Sequence, residues 1–140
     1  MSKTSGIIKY SETRDLPLDG VLNLYRANGW SAVEKPDVLH KALLASHSLA
    51  TAWDTDRLVG LGNAISDGYM VVYYSHLLVH PEYHGRGIGT QLMRQLMARY
   101  KGFHQHIVVA DGRALDFYHK CGFERAGKTE SMWIYAGHDH

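Results

Sequence analysis

Apolar residues along this chain keep two different spacings, alternating or clustering in extended runs at some places and recurring every three or four residues at others. Ile7 to Glu12 reads as a short first strand. Asp19 to Asn28 carries Val21, Leu24 and Tyr25 at helical spacing, with Gly29 as its stop. Pro36 suits the first turn of a second helix, striped by Leu39 and Leu43 and ending near Ser46. Leu49 to Trp53 and Leu58 to Ile65 are strand-like, and the polar turn Asp54 to Arg57 between them has hairpin length, so they predict an antiparallel pair. After a turn at Asp67-Gly68, the run Met70 to Val79 is dense in Val, Tyr and Leu and predicts a long central strand.

Pro81 ends that strand, and a glycine-rich segment leads into Thr90 to Tyr100, where Leu92, Leu96 and Tyr100 recur every four residues as in a helix. Ile107 to Ala110 is a short β-branched run, and Ala114 to Cys121 places Ala114, Phe117, Tyr118 and Cys121 on one helical face before Gly122. Phe123 to Gly127 and Met132 to Tyr135 predict two closing strands. The order β-α-α-β-β-β-α-β-α-β-β predicts an α/β fold with a mixed, mostly antiparallel central sheet flanked by helices.

Composition narrows the class without choosing a function. A length of 140 residues suits one domain spanning 1–140, and 45% hydrophobic with 21% charged residues suits a compact core. Fifteen basic against fourteen acidic residues give a net charge of +1, so no broad attraction to nucleic acid or anionic lipid is expected, and any anion site must be local. No secretory signal, membrane span, repeat or linker is recognised. Cys121 is the single cysteine, which excludes an intramolecular disulfide and points to the cytoplasm.

The local anion site is the segment His84-Gly85-Arg86-Gly87-Ile88-Gly89, between a strand and a helix start where unpaired N–H groups converge on the positive end of the helix dipole. Glycine at three alternating positions removes the Cβ atoms that would keep a phosphate from the backbone, and Arg86 adds charge at the rim. A P-loop is excluded because Thr90 and Gln91 follow Gly89, with no lysine at the required place. Thr90 also stands where the dinucleotide fingerprint needs its third glycine.

Two motifs carry a resemblance. The segment Leu77-Leu78-Val79-His80-Pro81-Glu82-Tyr83-His84-Gly85-Arg86-Gly87-Ile88-Gly89 and the later Ala114-Leu115-Asp116-Phe117-Tyr118-His119-Lys120-Cys121-Gly122-Phe123 resemble the GCN5-related N-acetyltransferase (GNAT) family, with residues 1 to 47 similar in architecture only. The resemblance implies acetyl-CoA as acetyl donor, its pyrophosphate on the amides from Gly85 to Thr90 and its pantetheine arm along Leu78 and Val79. It also brings His84, Asp111, Ala114 and Phe117 to the cofactor, and makes Tyr118 the acid for the leaving thiolate. His84 stands where the family usually has glutamine or arginine, and Ser75-His76 where many members carry an acidic residue.

Acyl transfer to an amine needs a neutral amine, a donor for the thioester oxygen and an acid for the thiolate. The resemblance places the amide near Leu78 or Val79 at the oxygen. His76 is the leading base, because an unperturbed imidazole titrates near neutrality; a core tyrosine at 118 and a strand histidine at 76 are the plain structural alternatives. Asp111 precedes a helix and suits a cap. Ten histidines raise a metal question, but neither His104-Gln105-His106 nor His138-Asp139-His140 has a zinc-site context, so no metal is expected. Cys121 closes a helix on its apolar face, which favours an inert thiol and direct attack without an acyl-enzyme.

Tyr25, Trp30, Tyr73 and Tyr74 gather aromatic residues where an acceptor site would stand, and core packing explains strand tyrosines equally well. The expected activity is acetyl transfer to a small primary amine, aromatic amines included. The alternative is a catalytically weak acetyl-CoA-binding sensor, and a homodimer is an allowed assembly.

Overall fold

The computed structural model describes residues 7–138. Five strands, β1 (Lys9–Ser11), β2 (Ser48–Asp54), β3 (Arg57–Ser66), β4 (Val71–Val79) and β5 (Gln105–Ile107), lie side by side in chain order. Every pairing is antiparallel except β4 with β5. The first helix, α1 (Leu18–Ala27), and α2 (Pro36–Leu44) cover one face, and α3 (Ile88–Ala98) covers the other. The short α4 (Leu115–Lys120) follows a 3-10 turn at Gly112–Ala114.

Each helix forms where its apolar stripe finds a sheet face. Val21, Leu24 and Tyr25 of α1 join Leu39 and Leu43 of α2 against Leu49, Leu58, Leu61 and Leu78. Ile88, Leu92, Met93 and Leu96 of α3 pack on the opposite face over Ala50, Ala52, Ala64, Val72 and Tyr74. That face is paved with small residues, and Gly60 and Gly62 let α3 approach closely. A Cβ built on Gly60 would stand 3.0 Å from Ile88 Cγ2, 3.1 Å from Leu92 Cδ1 and 3.2 Å from Ala52 Cβ. Gly60→Val should therefore cost about 1–3 kcal/mol through overpacking, and urea denaturation measures it; an unchanged midpoint would mean that α3 lifts away freely.

The feature that positions the site is a break in register along β4. Asn63 faces His76 and Ile65 faces Tyr73, so Ala64 stands opposite two residues, Tyr74 and Ser75. A bulge of this kind reverses which side chains face which layer. Before it, Val72 and Tyr74 turn toward α3; after it, Leu77 and Val79 do, and Leu78 joins the α1 layer. Asn63 secures the bulge, accepting from His76 N–H at 2.8 Å and Ser75 Oγ at 2.9 Å while its own amide donates to Ser46 Oγ at 2.9 Å.

The two closing strands expected at Phe123 to Gly127 and Met132 to Tyr135 do not form, and no described residue from Phe123 to His138 is in a strand. The first is turned aside by a reversal at Ala126, where Gly127 has φ +62 and Thr129 N–H bonds to the Ala126 carbonyl at 3.1 Å. In the second, Trp133 stacks on Tyr135 with centroids 4.5 Å apart, a local contact that takes the place of a ladder. The chain then returns to the first helices, where Tyr135 meets Ser31 at 3.5 Å and His138 Nε2 meets Glu34 Oε2 at 2.6 Å. The strand expected at Ile107 to Ala110 is centred earlier, on Gln105–Ile107, because its backbone pairing with Val71 to Tyr73 decides its position.

Candidate active site

Strands β4 and β5 stay paired only from Val71 to Tyr73, and β4 continues to Val79 paired with β3 alone. The result is a wedge whose wall is one edge of β4. His80 N–H bonds to the Val59 carbonyl on β3 at 2.8 Å, so strand alternation turns the Val79 N–H and C=O the other way, into the wedge. There the Val79 carbonyl meets His84 Nε2 at 2.9 Å.

The glycine loop follows directly. Gly85 and Gly87 adopt φ +80 and +78, a left-handed conformation that glycine takes without strain, and a Cβ on either would enter open space. Gly87 opens α3, and the first helical bond runs from Gln91 N–H to the Gly87 carbonyl at 3.1 Å. The amides of Ile88, Gly89 and Thr90 consequently lack an acceptor one turn back and face the open side at the positive end of the helix. This arrangement fits a diphosphate. Ile88 can offer only its backbone, since its side chain is buried in the core. Leu78 is buried as well, and the alternation that opens Val79 to the wedge turns the Leu78 backbone groups to Leu61 on β3, so of the two expected strand contacts the wedge is left with Val79.

The expected site residues fall into two groups on opposite layers. At the wedge, a Cβ on Gly89 would lie 3.4 Å from two ring carbons of Phe117 and 3.9 Å from Val79 Cγ2, which brings α4 against the loop. Tyr118 packs its ring against Phe117 and Phe123. Burial, helped by the nearby Cys121 and Tyr73, pushes its hydroxyl up to about 12. Asp111 caps the turn before α4, accepting from Arg113 N–H at 2.8 Å.

On the α1 layer, Tyr25, Trp30 and His76 form one aromatic group. Trp30 and His76 meet edge to face at 5.2 Å, Tyr25 and Trp30 at 5.6 Å, and the Tyr25 hydroxyl lies 2.6 Å from His76 Nδ1. Tyr73 is partly exposed, whereas Tyr74 is not brought to this group. Tyr74 is buried under α3 with its hydroxyl 2.7 Å from His106 Nδ1, because it precedes the reversal of facing at the bulge. A separate cleft of 440 Å³, lined by Asn23, Trp53, Arg57 and His80 among others, lies between α1 and the β2–β3 turn.

Sequence reasoning missed the anchor of the glycine loop. Tyr83, buried in the 3-10 turn Pro81–Tyr83, donates its hydroxyl to the buried Asp54 carboxylate, and the guanidinium groups of Arg86 and Arg57 lie 4.9 and 5.6 Å from its ring centroid. Asp54 had no signal beyond its place at a hairpin. Among the described residues no three His, Cys, Asp or Glu side chains gather as a metal site, and His140 lies outside the described residues.

A splayed strand pair, a helix start with open amides beside it and Tyr118 on the helix packed against that loop suit coenzyme-dependent acyl transfer. Residues 45–125 match the acetyltransferase (GNAT) domain, and the chain belongs to that family; it is an acetyl-CoA-dependent acyltransferase. It is 28% identical over 132 residues to an uncharacterised N-acetyltransferase, ycf52-like, of Prochlorococcus marinus, covering 89% of this chain and 73% of that protein. A solved GNAT family protein, SP0256 of Streptococcus pneumoniae, superposes with a TM-score of 0.81 at 30% identity, over 93% of this chain and 99% of the other. An aminoglycoside N-acetyltransferase, AAC(6')-Iy, solved in complex with CoA, shares the fold at 16% identity and TM-score 0.67, over 92% and 93%. Among the described residues no helix is long and apolar enough to cross a membrane.

Proposed function

We propose that this chain, as a single N-acetyltransferase domain, moves the acetyl group of acetyl-CoA directly to a primary amine of a small acceptor in a ternary complex. The observation that supports this most is the convergence on one wedge of an open strand edge, a glycine-turned helix start and Tyr118. Acetyl-CoA supplies an activated acyl thioester when bound. The amides from Gly85 to Thr90 would hold its diphosphate with Arg86 at the rim, and the β4 edge at Val79 would hold the pantetheine arm. His84, Asp111, Ala114 and Phe117 flank that path. The Val79 N–H faces the wedge, where it can stabilise the negative charge that develops on the thioester oxygen.

Tyr118 keeps its proton at neutral pH, since its hydroxyl ionises near 12. An ordinary thiol ionises near ~8.5, so complete transfer from Tyr118 runs uphill by about 3–4 units. Its contribution is a hydrogen bond to the sulfur as charge builds there. The acceptor would approach over Trp30 and Tyr73, with His76 beside it; Tyr25, expected to line this surface, is fully buried and reaches it only through His76. Tyr74 is left out of that surface. Cytoplasmic residence belongs to this reading, supported by the single cysteine, and the chemistry is complete in one chain, so a homodimer is compatible but not needed.

Burial pushes the Cys121 thiol up, with Arg94 partly opposing, so it stays a thiol and a poor nucleophile. Cys121→Ala is expected to retain turnover within about threefold, the loss being a small packing defect, and acetylated Cys121 trapped during turnover would contradict direct attack. The whole reading is tested by thiol release from acetyl-CoA against a panel of amines, beside calorimetric acetyl-CoA binding. Acetyl-CoA binding with amine-dependent thiol release supports it, and binding without turnover on any amine would indicate a sensor.

A further inference from the structure

Tyr25 meets His76 as a donor with a single outlet. It is fully buried, and among the described residues the one hydrogen-bond partner of its hydroxyl is His76 Nδ1, at 2.6 Å. Burial also raises its ionisation far above the usual tyrosine range, so the hydroxyl keeps its proton. A buried O–H left without an acceptor is costly, whereas a hydroxyl oxygen that accepts nothing gives up far less. The hydroxyl proton therefore points at Nδ1, which must present its lone pair. A neutral imidazole carries one N–H, and only Nε2 remains to bear it. The ring is held in this orientation by edge contacts with Trp30 and Tyr25, and its backbone by the bond to Asn63 Oδ1.

We propose that Tyr25 is a positioning residue that fixes neutral His76 as the Nε2–H tautomer, so that His76 acts in the acceptor site as a hydrogen-bond donor and not as the general base. The functional half of this rests on the proposed acetyl transfer; the tautomer does not. One nitrogen of the ring has its lone pair taken by Tyr25, and the other carries a proton, so neither can receive a proton from an incoming ammonium while Tyr25 donates. The amine loses its proton to water instead.

The tautomer is read from long-range proton–nitrogen correlations of the full chain labelled with ¹⁵N-histidine, at about pH 9, where an ordinary imidazole is neutral. His76→Gln identifies the signals by their loss. The expected spectrum has protonated Nε2 and unprotonated Nδ1, and Tyr25→Phe, which keeps the ring and removes the O–H, should mix or reverse that pattern. Protonated Nδ1 in the wild-type protein would overturn the proposal, whether or not the variant folds. This measurement uses neither acetyl-CoA nor amine, so its failure is distinct from a failure of the acetyl-transfer reading. Turnover gives the second test. Glutamine can still donate an N–H but cannot take up a proton, so His76→Gln should lose at least about 10-fold less turnover than His76→Ala, the worth of the one hydrogen bond that glutamine retains. Equal losses in the two variants would return His76 to the role of base.

Discussion

Gly87→Val should abolish measurable acetyl-CoA binding while leaving a folded protein. Gly87 has φ +78 at the start of α3, and the space its Cβ would enter is open. That open space is where a diphosphate would have to approach the amides of Ile88, Gly89 and Thr90. A charge-assisted hydrogen bond contributes roughly 1.5–3 kcal/mol, so blocking two of them weakens binding by about 10²- to 10⁴-fold. The conformational cost of a branched residue at positive φ is about 1–3 kcal/mol, tolerable against a domain stability of about 5–15 kcal/mol. Gly102 supplies the control. It also has positive φ (+88) and open space around it, but it lies in the turn between α3 and β5. Gly102→Val should show a similar thermal shift with wild-type acetyl-CoA affinity in calorimetry. Equal affinity in Gly87→Val and Gly102→Val would sink the loop assignment.

That loop was legible in the sequence because its chemistry is local. Alternating glycines between a strand-ending proline and a helical stripe leave few conformations, and the observed φ values of Gly85 and Gly87 are the ones such spacing serves. The helices were legible for the same reason: Val21 with Leu24 and Tyr25, and Leu92 with Leu96, repeat at the helical period and are all buried. The long helix begins two residues earlier than its apolar stripe implied, at Ile88, because its first turn is set by Gly87 and not by hydrophobicity.

What the sequence did not disclose depends on partners far along the chain. The aromatic cluster along Met70 to Val79 put Tyr73 and Tyr74 together at the acceptor, with His76 as base. Plain alternation already parts Tyr73 from Tyr74, and a bulge opposite Ala64 reverses the facing between Tyr74 and His76, sending Tyr74 beneath α3 and His76 toward Tyr25; nothing in β4 itself announces it. Tyr25 and His76 were both singled out, but 51 positions separate them and only the fold shows that they are hydrogen-bonded. The Tyr83–Asp54 anchor is hidden for the same reason. The stretch Met132 to Tyr135 has strong strand propensity, and propensity alone cannot say whether a sheet edge lies within reach.

Tyr118→Phe should separate binding from chemistry. The phenylalanine ring keeps the packing against Phe117 and Phe123, whose centroids lie 5.1 and 5.7 Å from that of Tyr118, so α4 and the cofactor path beside it should be undisturbed. Only the O–H is lost. If that group hydrogen-bonds the departing sulfur, turnover should fall by roughly 10- to 1,000-fold with acetyl-CoA affinity within about threefold of wild type. The alkaline limb of the pH profile follows from the raised ionisation of Tyr118. Tyr118 acts in its protonated form, and with ionisation near 12 that form persists throughout the range from about pH 7 to 10. A decline of wild-type turnover inside that range must therefore come from another group, and Tyr118→Phe should lower the curve without changing its shape. An ordinary exposed tyrosine, ionising near ~10, would instead begin to lose its proton at the upper end of the range. Turnover within about threefold of wild type in Tyr118→Phe, on a substrate whose chemical step limits the rate, would reduce Tyr118 to a packing residue and leave the thiolate to depart without an acid.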